Sequence, residues 1–187
     1  MHIVSRVKRQ QSSVCCSSEG CDFLLADYIR EYVKGECSNS PQGREFYENH
    51  LILVAHYGLK LAMETGADPE IVELAAYLHD FSFVMDEKDL NHHEARGVAI
   101  AEKLLRQFNY PPDRLEKVKR CILNHSSLIH ASGGSPEEAC LANADIMSLI
   151  ARPDYWIEFF ALYLFYNSFA KILFSKLTYF EIKTIKK

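Results

Sequence analysis

Five places in the chain combine imidazole or carboxylate groups with apolar, helix-like surroundings. They are His50, the adjacent pair His79 and Asp80, the neighbours His92 and His93, then His125, and finally Asp145. Neutral imidazole and carboxylate oxygen are suitable ligands for Mn, Fe, Co, Ni, Zn or Mg. Because no cysteine belongs to the set, a structural zinc site is disfavoured, and the pattern indicates a catalytic metal centre with positions left open for water.

Burial gives the physical reason for expecting a cation. The segment EIVELAAYLHDF is apolar on nearly every side, so its last turn, with His79 and Asp80, should be buried. Asp145 lies among Leu, Ala, Ile and Met in LANADIMSLI and meets the same difficulty. Burying a carboxylate without a partner costs several kcal/mol, and one shared divalent ion would satisfy both places.

Apolar residues at three- and four-residue spacings predict that helices carry these groups. No segment alternates convincingly enough to predict a strand, so we expect an all-α bundle. The predicted helices cover residues 22–33, 44–65, 69–80, 92–108, 114–129, 136–150 and 153–181. Connections are predicted at GECSNSPQG, at residues 86–91 and at HASGGS.

Start and stop signals support several of these boundaries. Gly66 is expected to end the second helix. Asp68 followed by Pro69 is typical of an N-cap and first helical position. Ser135 followed by Pro136 predicts another helix start.

Length and composition indicate one domain. The chain has 187 residues, of which 48% are hydrophobic and 25% charged, which suits a single continuous core. We assign residues 1–20 to a flexible N-terminal segment and residues 21–187 to one helical domain. The formal net charge of -4 provides no global attraction to duplex nucleic acid.

The N-terminal segment lacks the continuous apolar stretch of a secretory signal. We therefore expect a cytoplasmic protein with reduced thiols, in which Cys15, Cys16 and Cys21 are free. The segment is also basic and free of acids before Glu19, which faintly resembles an organelle transit peptide, but a frayed terminus is the better explanation.

The C-terminal residues 153–181 are strongly apolar and aromatic and are predicted to form one helix. Their length approaches that of a membrane span. Glu158 and Asn167 are unfavourable against lipid, so we favour packing along the bundle or against a second copy of the chain in a homodimer.

The order and local contexts of the predicted ligands resemble the HD superfamily of metal-dependent phosphohydrolases, which is named for an adjacent His-Asp pair. The resemblance covers roughly residues 44–150. Five segments carry it: ENHLILV, LAAYLHDF, HHEARGVAIAEKLL, ILNH and EEACLANADIM. It implies an HD-domain-like helical bundle with a metal site in the core.

Carried over to this chain, the family pattern implies one or two divalent ions around a shared carboxylate. The first ion would be held by His50, His79, Asp80 and Asp145. The second would be held by Asp80, His93 and His125.

Two histidines compete for one ligand position, and two other residues differ from the family pattern. His92 competes with His93, but the four-residue spacing from His93 to Gly97 resembles the family better. Many relatives carry glycine where this chain has Ser82, and aspartate where it has Asn143. Neither change removes a ligand, although the first argues against the signalling branch whose motif needs that glycine.

The activity that the resemblance implies is hydrolysis of a phosphate ester or anhydride, in a nucleotide or another small phosphorylated metabolite, by metal-activated water. The resemblance implies that Asp80 is the catalytic ligand. Arg96 lies three residues after His93, so on a helix it shares that face and could clamp a phosphate oxygen. Lys119 and Arg120 are weaker candidates for the same role.

Two other functions stay open at this point. The domain could be a regulatory or binding module that keeps a metal for stability without turnover. It could also be a di-iron oxygenase, as rare members with the HD fold are. Metal-dependent folding without product would favour the first, and a metal-centred absorption with oxygen uptake the second.

Overall fold

The computed structural model describes residues 21–85, 92–126 and 134–164. Every regular element in those ranges is helical, which confirms the predicted all-α bundle. In chain order the elements are α1 Cys21–Cys37, α2 Pro41–Phe46, a π-helical turn Tyr47–Leu51, α3 Ile52–Thr65, α4 Pro69–Leu78, α5 Phe81–Met85, α6 His93–Arg106, α7 Pro112–Asn124, α8 Pro136–Ala151 and α9 Pro153–Leu164.

The first helix is longer than predicted. Its end was expected at Val33, but α1 continues through Gly35 to Cys37. Ala26, Ile29, Val33 and Cys37 follow one another at helical spacing and are all buried. The apolar stripe therefore extends one turn further and holds the end of α1 against the core.

The second helix begins at Pro41 rather than at the predicted Arg44. Ser40 is its N-cap, because the hydroxyl accepts a hydrogen bond from the N–H of Gly43 at 2.9 Å. Pro41 occupies the first turn, where its missing N–H is not needed.

The helix that carries His50 contains a π turn, Tyr47–Leu51, which the apolar spacing did not predict. There the N–H of Ile52 bonds to the carbonyl of Tyr47, so the turn accommodates one extra residue. His50 lies inside this turn and is fully buried. The helix ends at Gly66 as predicted, with a φ of 74° that glycine adopts readily.

The central helix is α4, and its predicted start is confirmed. The Asp68 carboxylate accepts a hydrogen bond from the N–H of Glu70 at 3.2 Å, and Pro69 follows the cap. α4 packs against α1, α3, α7 and α8. It ends with His79 as its C-cap, so His79 and Asp80 emerge in the middle of these neighbours.

The helix predicted over residues 114–129 is wrong at both ends. α7 begins at Pro112, which suits a first turn, and ends at Asn124. His125 therefore lies in the turn after the helix. The predicted start of α8 is confirmed, since Ser135 and Glu138 form a reciprocal capping box.

Four predicted features lie wholly or partly outside the described residues. They are the segment 1–20 with Cys15 and Cys16, the connection 86–91, most of the connection HASGGS, and the part of the aromatic helix beyond Leu164. Within the ranges that the structure covers, no helix has both the length and the apolar character needed to cross a bilayer. The homodimer through residues 153–181 stays a prediction.

Gly97 brings α6 close to the end of α4. A Cβ at this position would lie 2.7 Å from the carbonyl oxygen of His79 and 3.0 Å from Cγ2 of Ile122. The nearer neighbour is main chain and cannot rotate away. Any larger residue would therefore push α6, and His93 with it, away from α4.

We expect Gly97→Ala to lower the free energy of unfolding by about 1–3 kcal/mol, because it overpacks a helix contact. Urea denaturation followed by circular dichroism measures the change. Gly35→Ala is the matched control, because Gly35 is helical and a Cβ added there would meet no atom within 4 Å. It should stabilise by about 0.5–1 kcal/mol. Equal effects of both substitutions would contradict the close approach.

Candidate metal centre

The six predicted ligands are all buried, although they come from five separate parts of the chain. Their relative exposures are His50 0%, His79 0%, Asp80 9%, His93 8%, His125 5% and Asp145 5%. The π turn, the ends of α4 and α7, the start of α6 and the middle of α8 supply them. The bundle therefore concentrates polar groups where an apolar core would be expected.

The orientation of His50 follows from its hydrogen bonds. The Ser148 hydroxyl donates its only hydrogen to the carbonyl of Asp145, at 2.8 Å. We infer that Ser148 Oγ then acts as acceptor towards His50 Nδ1, which lies 2.9 Å away. This assignment places the hydrogen of His50 on Nδ1 and leaves a lone pair on Nε2.

His79 and His125 are oriented in the same way by main-chain carbonyls. His79 Nδ1 donates to Ala76 O at 2.8 Å, and His125 Nδ1 donates to Ile122 O at 2.7 Å. Each contact joins a residue to the carbonyl three positions earlier, at the C-terminal end of a helix where carbonyls lack helical partners. Both rings consequently direct an Nε2 lone pair into the bundle.

Two of these donors converge with two carboxylates. His50 Nε2 lies 3.2 Å from His79 Nε2, 3.5 Å from Asp80 Oδ2 and 3.8 Å from Asp145 Oδ1. Two lone pairs that face each other repel unless a cation lies between them. Ligand atoms about 2.1 Å from one ion are about 3.0 to 3.4 Å apart at octahedral or tetrahedral angles, so the distance between the two nitrogens fits a divalent ion.

The other oxygen of Asp80 faces a second pair of imidazoles. Asp80 Oδ1 lies 3.4 Å from His125 Nε2 and 3.7 Å from His93 Nε2. Among the described residues this buried oxygen has no hydrogen-bond partner. The carboxylate therefore lies between two sets of nitrogen donors. The groups whose donor atoms lie close enough together to hold an ion are His50, His79 and Asp145, and His79, Asp80 and His125.

Charge and burial act in opposite directions on these groups. Burial would raise the pKa of Asp80, but the surrounding imidazoles, above all His79, hold it well below the ordinary carboxyl value. Burial lowers the pKa of His79 to about 4, so its ring is neutral at physiological pH. Burial also acts to lower the pKa of His125, but the Asp80 carboxylate outweighs it and the pKa is raised.

Aromatic rings enclose the cluster on one side. Trp156 meets the His50 ring edge-on, with 5.0 Å between centroids and an interplanar angle of 89°. Phe83 stacks on His93 at 4.9 Å. These contacts restrict ring rotation and keep the surroundings of the nitrogen donors apolar.

The remaining candidate residues of the site differ in their exposure and in their contacts. His92 is exposed at the N-cap of α6, so His93 is the neighbour that faces Asp80. Arg96 lies one turn later on α6 and is half-buried, with its Nε shielded from solvent. Lys119 is paired with Glu116 and Glu102, and Arg120 with Glu138.

The two departures from the family pattern have separate environments. Ser82 is buried, and its hydroxyl donates to the carbonyl of His93 at 3.2 Å, which ties α5 to the start of α6. Asn143 lies on the exposed face of α8 and donates to Ala139 O. In the described part of the chain, neither side chain belongs to the nitrogen and oxygen groups that surround Asp80.

Comparison with known protein families shows which family the chain belongs to. The HD domain model matches residues 47–150, which is more than half of the chain. The chain belongs to the HD domain family. HD domains bind divalent metals and are in general hydrolases. Neither curated proteins nor solved structures give a match to the chain.

The sequence alone missed the residues that orient the HD ligands. Ser148 and Trp156 contact His50, Glu94 contacts His93, and Ser126 donates to Glu94. Ser148 could have been found as the serine three positions after Asp145 on a buried helix face. The contacts of Trp156 and Ser126 depend on packing between distant segments, which spacing does not reveal.

The deduced tautomers are testable in the metal-free protein. We expect long-range ¹H–¹⁵N spectra at pH 7.5 to show both His50 and His79 protonated at Nδ1. Ser148→Ala should convert only His50 to the Nε2–H form, which can donate to His79 Nε2, because the partner of His79 is main chain. A wild-type spectrum with either ring protonated at Nε2 would contradict the assignment.

Proposed function

We propose that this HD domain protein is a divalent-metal-dependent phosphohydrolase that acts on a nucleotide or another small phosphorylated metabolite. The observation that carries the proposal is the division of the Asp80 carboxylate, with Oδ2 facing His50 and His79 and Oδ1 facing His125 and His93. A carboxylate placed in this way can bridge two ions about 3.5 to 4 Å apart, the separation used in metal-assisted phosphate hydrolysis.

The proposed ligands are assigned by the oxygen of Asp80 that each group approaches. On the Oδ2 side they are His50 and His79, and Asp145 joins them because its Oδ1 approaches His50 Nε2. On the Oδ1 side they are His93 and His125. The mixed nitrogen and oxygen donors suit Mn, Fe, Co, Ni, Zn or Mg, so metal availability decides which is used.

Bound divalent ions would supply an acidified water as nucleophile and would neutralise charge on a phosphoryl oxygen. The protein's own groups bind and orient. Asp80, whose pKa lies well below its usual value, stays ionised over the physiological range. Arg96 is the cation that we assign to the phosphate, because it lies one turn from His93 and is half-buried.

The test is phosphate release by metal-free protein supplied with each candidate metal and a panel of nucleotides and small phosphate esters. No release with any metal, from protein that circular dichroism shows to be folded, would contradict the proposal. Thermal stabilisation by metal without product would instead favour a regulatory module. Oxygen uptake with a metal-centred absorption would favour an oxygenase.

We expect Asp80→Asn to abolish hydrolysis and to prevent metal uptake, because the amide cannot offer two anionic oxygens. Metal content after gel filtration and phosphate release measure the two effects. Asp113→Asn is the matched control, since Asp113 is exposed in the first turn of α7. Full activity of Asp80→Asn would exclude the bridging role.

Arg96→Ala should lower kcat/KM by about 10- to 100-fold, which corresponds to losing one charge-assisted hydrogen bond. Metal content should not change, because arginine is not a ligand. Arg106→Ala, on the same helix but paired with Glu102 at the surface, should leave kcat/KM unaltered. Equal kinetics for both variants would show that Arg96 belongs to a solvated helix face.

A further inference from the structure

A single carboxylate connects the two elements that carry His93 and His125. Glu94 Oε2 lies 3.2 Å from His93 Nδ1, at the start of α6. Glu94 Oε1 accepts a hydrogen bond from the Ser126 hydroxyl, in the turn after α7. The side chain of Glu94 is only 23% exposed, so both contacts are shielded from competing water.

The first contact fixes the orientation of His93. A carboxylate next to Nδ1 accepts the ring N–H, so the lone pair of His93 is on Nε2, which lies 3.7 Å from Asp80 Oδ1. It also limits rotation of the ring and so keeps Nε2 turned towards Asp80. Glu94 therefore does for His93 what Ser148 does for His50.

The second contact fixes the turn that carries His125. Ser126 follows His125 directly, so its bond to Glu94 ties that turn to α6. Ser82 adds a further tie from α5 to the carbonyl of His93. The two histidines on the Oδ2 side of Asp80 are oriented by other residues. His50 bonds to Ser148, which bonds to the main chain of Asp145, and His79 bonds to a main-chain carbonyl. None of these hydrogen bonds involves Glu94.

We infer that Glu94 is a positioning residue that sets the affinity of the ion held by His93, His125 and Asp80 Oδ1, while leaving the ion on the Oδ2 side unaffected. This inference rests on the two-ion centre of the proposed function. Removing the side chain should convert a two-ion protein into a one-ion protein at moderate metal concentration.

The experiment titrates metal-free protein with Co²⁺. Visible absorption follows binding, and the metal content of gel-filtered samples counts the ions. Wild type should bind two ions. Glu94→Ala should bind the first as wild type does and the second about 10- to 100-fold more weakly, the range found when a group supporting a ligand is removed.

Conservative variants separate positioning from a general loss of structure. Glu94→Gln should restore most of the second affinity, because its amide oxygen can accept from His93 Nδ1 and its NH₂ can donate to Ser126 Oγ. Ser126→Ala keeps the contact with His93 and should cause a smaller loss in the same direction. If Glu94→Ala does not fold, Ser126→Ala tests the same inference.

Glu102→Ala is the matched control, because Glu102 lies on the same helix and pairs with Arg106 at the surface. It should bind both ions as wild type does. Two ions bound with unchanged affinity by Glu94→Ala, or a loss that affects both ions equally, would overturn the inference.

Failure of the proposed function would look different. A wild-type protein that binds only one ion or none would refute the two-ion centre and the inference together. A protein that binds two ions but hydrolyses none of the phosphate compounds would contradict the phosphohydrolase and would leave the result for Glu94 standing, because the readout is binding.

Discussion

The arrangement of the site depends on which ring nitrogen of each imidazole carries the hydrogen. His50, His79, His93 and His125 each have Nδ1 beside an oxygen, so each directs Nε2 towards Asp80. Unprotonated nitrogens brought this close to one another repel in the absence of a cation, and water cannot screen them in a buried site. The helices that surround the cluster must therefore resist this repulsion, and a bound ion would turn it into attraction.

That requirement explains why the histidine ligands come from helix ends and turns. A residue in the middle of a regular helix has its neighbouring carbonyls already bonded, whereas the last turn leaves carbonyls available to accept from an imidazole. His79 and His125 use such carbonyls at the ends of α4 and α7. His93 begins α6, where an acidic neighbour is also favourable because of the helix dipole. Secondary structure and ligand orientation are thus set by the same unpaired groups.

The sequence was sufficient for the fold class, for most helix starts and for the burial of the six predicted polar ligands, because those features depend on local signals. Asp68, Gly66 and Ser135 act on their own neighbours, and burial follows from apolar spacing. The sequence did not predict the features that depend on contacts between distant segments. Cys37 extends α1 because it meets the core, and α7 stops before His125 because that ring bonds back to Ile122. The pairing of Glu94 with Ser126 joins residues that no spacing relates.

The π turn at Tyr47–Leu51 has a consequence for how this chain can vary. One extra residue in a helical turn changes the angular phase by about 100°, so the segments before and after it present different faces to the bundle. Phe46 can therefore pack beside His50 and Phe83 while Gly58 faces α4 and α8. An insertion or deletion within this helix would rotate one half against the other, whereas a change of the same size in a surface loop would be absorbed. The length of this segment is constrained as tightly as the identity of its histidine.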